Sequence, residues 1–259
     1  MNWFELSYVT LLGLAVGSFL NAVVYRLPRK IPFGLSRSAC PACDARIRAY
    51  DNIPLLSFIL LRGRCRSCRS RISLRYPALE ALNAALYVWL YFQFGFTDQL
   101  AMAALVGSAL LAIIFIDVEH MIIPDKITLP GILIATGYSL TPAGIGILPS
   151  LLGALVGGGS LYLIALLGDW LFKKESMGGG DIKMAAALGA LLGWQKVLLV
   201  FFLSAVIGVV VSLGVMLVSA RFRRRRMLPF GPFLALAGFF AMLYGEQAVQ
   251  LYRDYLLGR

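Results

Sequence analysis

Apolar residues come in long runs along almost the whole chain, separated by short polar breaks. A bilayer core takes about 20 apolar residues per helix. Hydropathy windows place eight such helices, over residues 6–25, 78–95, 99–116, 127–141, 148–170, 182–193, 196–220 and 229–245. The fourth and sixth are short, a shortfall that local bilayer thinning or packing inside a bundle accommodates. Only residues 26–77 interrupt the pattern for long, and no tandem repeat is visible. The fold this predicts is all-α: a polytopic membrane bundle of about eight helices with one long polar loop between the first two.

Composition narrows the class. Of 259 residues 59% are hydrophobic and 14% charged, with a mean hydropathy of +0.80. A soluble globular domain carries nearer a quarter charged residues. Charge then sets an orientation. Twelve of the 24 basic residues lie between Arg26 and Arg75, where the only acids are Asp44 and Asp51. With that loop cytoplasmic, Lys126, Lys173, Lys174, Lys183, Arg221 and Arg223 to Arg226 also fall inside. Only Lys196, Arg253 and Arg259 are left outside. This is the positive-inside asymmetry, and it turns both termini away from the cytoplasm. Topological charge explains the basic loop without nucleic acid, so no nucleic-acid partner is expected; membrane lipid is. The first span has no basic residue before its apolar run and reads as a retained anchor, not a cleaved signal.

The four cysteines all lie in the loop, as Cys40-Pro41-Ala42-Cys43 and Cys65-Arg66-Ser67-Cys68. Two C-x2-C knuckles can deliver four thiolates tetrahedrally to zinc. Disulfides are the alternative, disfavoured in a reducing cytoplasm. A metal also suits a loop of some fifty residues with too few apolar side chains for a core of its own. With four Cys ligands such a zinc has no open coordination position and is structural.

Two carboxylates stand where apolar runs meet the cytoplasmic side. Asp117 ends the third span, and Asp181 follows Gly178-Gly179-Gly180 at the start of the sixth. Ionised carboxylates in hydrocarbon are costly, so their presence asks for a reason. Two held a few ångströms apart share a proton, and such a pair can activate water against a peptide carbonyl. Residue chemistry alone leaves other readings open: Asp181 as a helix N-cap, Asp117 as a span end reaching water, or either in an ion pair or ion pathway. Asp125, after Pro124, reads as the start of the fourth helix. His120, the one histidine, reads as interfacial.

Together these segments resemble the type IV prepilin peptidase family, over nearly the whole chain. Residues 17–28 look like its amino-terminal signature. The loop is similar through Asn52-Ile53-Pro54-Leu55-Leu56-Ser57, Leu61-Arg62-Gly63-Arg64-Cys65 and Ile72-Ser73-Leu74-Arg75-Tyr76-Pro77, followed by Glu80. The family's first catalytic aspartate precedes an Ile-Pro-Asp step, which makes it Asp117 before Ile123-Pro124-Asp125. Its second lies in Gly-x-Gly-Asp, which makes it Asp181. The resemblance implies cleavage of the short basic leader of prepilins or pseudopilins at the cytoplasmic face of the bacterial inner membrane. It also implies N-methylation of the new amino terminus by S-adenosylmethionine, for which no Gly-rich nucleotide fingerprint is visible. Residues 1–95, with the anchor, the zinc loop and the second helix, are then the expected methyltransferase region, and residues 96–259 the peptidase bundle. Asp51, Asn52 and Glu80 are the polar residues of the matching blocks nominated for the transferase. Intramembrane proteases of the presenilin kind share Gly-x-Gly-Asp, but place the first aspartate after Tyr, deep in a span. A transporter would carry more polar residues along broken spans.

Overall fold

The computed structural model describes residues 2–32, 39–218 and 228–257. The Arg221 and Arg223 to Arg226 cluster used for orientation lies outside them, as do residues 219–220 of the seventh predicted span.

Helices form at all eight predicted places. They are α1 (Trp3–Arg26), α3 (Arg75–Phe94), α4 (Asp98–His120), α5 (Asp125–Tyr138), α6 (Ile147–Phe172), α7 (Gly179–Leu192), α8 (Trp194–Val218) and α9 (Gly231–Leu257). A short α2 (Leu56–Leu60) and a 3₁₀ turn at Ala49–Asn52 lie in the polar loop. Among the described residues the only β-pairing is two isolated bridges in that loop. Among the described residues five helices (α1, α4, α6, α8 and α9) are long and apolar enough to cross a membrane. α5 and α7, at 14 residues each, reach only about 21 Å at 1.5 Å per residue. α3 buries Glu80 and Asn83 among its apolar residues, which lowers its hydropathy without exposing polar groups to lipid.

Local sequence sets the ends. The Asn2 side chain accepts from the Phe4 N–H at 3.2 Å and caps α1, with Glu5 in the first turn favourable toward the helix dipole. Gly95, Gly146 and Gly193 take positive φ at the end of α3, before α6 and between α7 and α8, where a side chain would be strained.

The chain forms two compact units, Met1–Ala112 and Ile113–Arg259. In the first, α1 lies antiparallel on α3 so closely that a Cβ at Gly17 would sit 2.8 Å from the Glu80 Cα. The Asn83 amide donates to the Gly13 carbonyl at 2.8 Å, and the Ser108 hydroxyl donates to Asn83 Oδ1 at 2.8 Å. Each buried group in that cluster has a partner, which fixes the register of the helices involved.

In the second unit α7 is the hub, touching α5, α6, α8 and α9. α6 runs antiparallel to it, with Gly153 against the Gly189 backbone and Gly157 against the Ala185 carbonyl. Small residues let these backbones touch, the usual basis of helix association in lipid. Leu155, Leu163 and Leu167 of α6 and Phe202, Val210 and Leu217 of α8 remain exposed, as lipid-facing residues must.

Candidate active site and cysteine cluster

Asp117 lies on the last turn of α4. That helix ends when Met121 adopts a left-handed φ of 53° and returns its N–H to the Asp117 carbonyl at 2.8 Å. Pro124 then holds the chain extended, with ψ 129°, and α5 starts at Asp125. The Asp117 carboxyl is buried, and its Oδ2 accepts the Gly231 N–H at 3.0 Å. Gly231 is the first residue of α9, so the carboxyl faces the positive end of a helix dipole. A Cβ at Gly231 would come within 2.5 Å of that oxygen, so only glycine allows the approach.

Asp181 occupies the first turn of α7, three residues after the cap position Gly178, and makes no capping bond. The N-cap reading therefore fails. Its Oδ1 is buried with no hydrogen-bond partner among the described residues. Such an orphan is uncommon in a folded protein and asks for an explanation.

Ile123 packs against the glycine beside each of the two aspartates. A Cβ at Gly180 would fall 2.7 Å from the Ile123 Cβ, and one at Gly231 would fall 3.0 Å from its Cδ1. The same buried side chain thus touches the residue before Asp181 and the residue that holds Asp117. Beyond it, the Lys183 ammonium lies 2.7 Å from both carboxylate oxygens of Asp125. His120 is half-buried, with its Nε2 3.9 Å from a Glu119 oxygen.

In the first unit the four cysteine sulfurs lie within 4.8 Å of one another, and none is in a disulfide. The two knuckles repeat one geometry. Cys40 takes the Asp44 N–H at 2.8 Å and gives its own to Ala45, while Cys65 takes the Arg69 N–H at 3.0 Å and gives its own to Ser70. Asp44 and Arg69 are left-handed at equivalent places. Cys40 Sγ and Cys68 Sγ are 3.9 Å apart. Bonds of 2.3 Å in a tetrahedral tetrathiolate separate sulfurs by about 3.8 Å, so the cluster could hold a zinc ion. Hydrogen bonding by Ser70 draws Cys68 down to about 6. The Ala45 N–H favours the Cys43 thiolate, but the neighbouring Cys68 and Cys40 sulfurs outweigh it and push that thiol up to about 12.

Comparison with known proteins agrees with this geometry. Residues 104–213 match the type IV leader peptidase family, and residues 11–94 match the N-terminal domain of bacterial A24 peptidases. The prepilin leader peptidase/N-methyltransferase of Aeromonas hydrophila is 37% identical, over 97% of this chain and 95% of its own. Those of Stutzerimonas stutzeri and Pseudomonas aeruginosa are 39% and 38% identical, over 94% and 95% of this chain and 92% of theirs. This chain belongs to the type IV leader peptidase family. No solved structure matches it.

In this family member the three residues nominated for methyl transfer have different settings. Asp51 is forked onto Arg66, with contacts of 2.6 to 3.1 Å, and that guanidinium holds its carboxyl below the usual range. Asn52 is exposed. Glu80 is buried and accepts the Leu55 N–H at 2.9 Å, at a point where Leu55 has a φ of 58°. Two further residues escaped the sequence reading. Asn21, whose amide donates to the Tyr76 carbonyl at 3.1 Å, keeps a buried Oδ1 without a partner among the described residues; an amide inside an apolar run was the available signal. For Gly231 the signal was the Gly-Pro step that opens the eighth span.

Proposed function

We propose that this protein is a membrane aspartic endopeptidase that removes the basic leader of type IV prepilins or pseudopilins. It then methylates the exposed amino group with S-adenosylmethionine. The observation that carries the reading is the pair of carboxyls Asp117 and Asp181, the first buried and the second half-buried with a buried Oδ1. Each adjoins a glycine that packs on the same Ile123, Gly231 for Asp117 and Gly180 for Asp181, in a chain 35–39% identical along its length to prepilin leader peptidase/N-methyltransferases.

The chemistry follows from the pair. One carboxylate takes a proton from water as the hydroxide adds to the scissile carbonyl carbon, and the protonated partner donates to the carbonyl oxygen. Collapse of the resulting diol breaks the C–N bond, with a proton passing to the leaving amine. The buried Oδ1 of Asp181, without a hydrogen-bond partner among the described residues, is the oxygen left to bind that water. The Gly231 N–H keeps Asp117 oriented throughout.

Residues 96–259 form the peptidase region in this reading, and residues 1–95 the transferase region. Cys40, Cys43, Cys65 and Cys68 hold a structural zinc, for which their spacing is suited. The methyl donor, when bound, supplies an electrophilic methyl group to the new amine. Asp51, Asn52 and Glu80 border its site, with Asp51 and Glu80 also holding the loop in shape through Arg66 and Leu55. The protein resides in the bacterial inner membrane with the dyad and cysteine loop on the cytoplasmic side. There a basic leader stays in water while the apolar stem of the substrate lies in lipid.

The test is cleavage of a detergent-solubilised prepilin by wild type, Asp117→Asn, Asp181→Asn and Asp98→Asn. Loss of about 10²–10⁴-fold in the first two variants, with retention in the exposed Asp98 variant, is expected. Cleavage at the wild-type rate by either dyad variant would sink the reading. The mass of the processed amino terminus, with and without S-adenosylmethionine, reports the second activity.

A further inference from the structure

The residues that set the distance between the two aspartates are, we infer, the Asp125–Lys183 ion pair and Ile123, acting together as a clamp. The inference rests on the dyad reading and deepens it.

Asp117 lies in the last turn of α4, just before the 121–124 connection to α5, and Asp181 lies in the first turn of α7, where that connection packs. Their separation is therefore set by how that connection lies against the first turn of α7. Three contacts fix it. Ile123 meets Gly180 through both its side chain and its carbonyl, which lie 2.7 and 3.0 Å from where a Gly180 Cβ would be. Its Cδ1 meets Gly231, which holds Asp117 Oδ2. Two residues after Ile123, Asp125 is gripped through both oxygens by Lys183, which lies two residues after Asp181. Ile123 is thus a spacer between the arms of the site, and the ion pair closes the connection over it.

The pair is half-exposed on both sides, a setting in which ion pairs contribute little to global stability. A two-oxygen grip instead fixes direction, which is what a positioning contact requires. α5 and α7 run parallel from that point, with Gly131 beside Ala187, so the clamp also sets their register. Asp125 and Lys183 touch neither aspartate, and they act through Ile123 and the helix start.

A displacement of about 1 Å at a reacting centre can cost on the order of a hundredfold. Asp125→Asn and Lys183→Gln should therefore each lower kcat by about tenfold or more, with KM within about twofold and little change in melting temperature. The exchange Asp125→Lys with Lys183→Asp should restore most of kcat. Ile123→Val should stay close to wild type, and Ile123→Ala should lose kcat with the ion pair intact. These two variants keep the test decisive if a charge variant fails to fold. Wild-type kcat in both single charge variants, or an exchange variant that folds but recovers nothing, would overturn the clamp. Asp181→Asn is assayed beside them. Its inactivity together with full kcat in the clamp variants removes the clamp alone, whereas its full activity removes the dyad and the clamp with it.

Discussion

The three glycines before Asp181 have unequal roles. A Cβ at Gly178 would meet Asp181 Oδ2 at 3.1 Å, one at Gly180 would strike Ile123, and one at Gly179 would meet nothing within 4 Å. Gly180→Ala should therefore push Ile123 off the dyad and abolish most cleavage. Gly179→Ala should keep cleavage and gain about 0.5–1 kcal/mol from helix propensity, read from cleavage assays and thermal melts. Gly178 can take a methyl group only if the carboxyl yields a few tenths of an ångström. At this scale the two acids were legible, because a carboxylate in an apolar run is conspicuous. Gly231 was not, since a backbone donor has no side-chain signature and the bond spans 114 residues of sequence. Nor could the sequence tell that Asp51 and Glu80 have protein partners, because ion pairs and turn contacts depend on loop geometry.

Among the helices, hydropathy located each span because lipid imposes one rule on every exposed face. The ends moved by a few residues where capping and glycine conformation decide, as at Asn2 and Gly95, and α9 runs 12 residues past the expected end at 245, through a polar stretch that hydropathy does not register. Pairing was less legible. Gly153 with Gly157 and Gly189 with Gly193 read only as permission for close approach, and several helices could have used it. The chain commits Gly153, Gly157 and Gly189 to the single α6–α7 crossing. A side chain there must push the helix backbones apart. Gly153→Val should cost more than the about 1–3 kcal/mol of ordinary overpacking and lower the melting temperature sharply in detergent. Gly159→Val, on the same helix but with only its own Leu155 nearby at 3.9 Å, should melt like the wild type.

For the molecule as a whole, the cysteine loop and the peptidase unit answer to different stabilising forces. Among its described residues the loop has few buried apolar side chains, and the four-cysteine cluster could hold a metal that supplies what a core would. Cys65→Ser should reduce a near-equimolar zinc content to background by elemental analysis. Hydrogen exchange should then rise across residues 39–74 while the α6–α7 crossing stays protected. The clustering of the four cysteines was legible from spacing alone, whereas the paired left-handed turns at Asp44 and Arg69 were not, because neither residue type announces that conformation. The shortness of α7 has a consequence for hydrolysis itself. A helix of about 21 Å cannot match a hydrocarbon core of about 30 Å, so water or headgroups must fill the difference at one of its ends. Asp181 stands at the α7 N-terminus, one of those two ends. Peptide hydrolysis consumes water, and a gap at that end would give water a route to the candidate carboxyls.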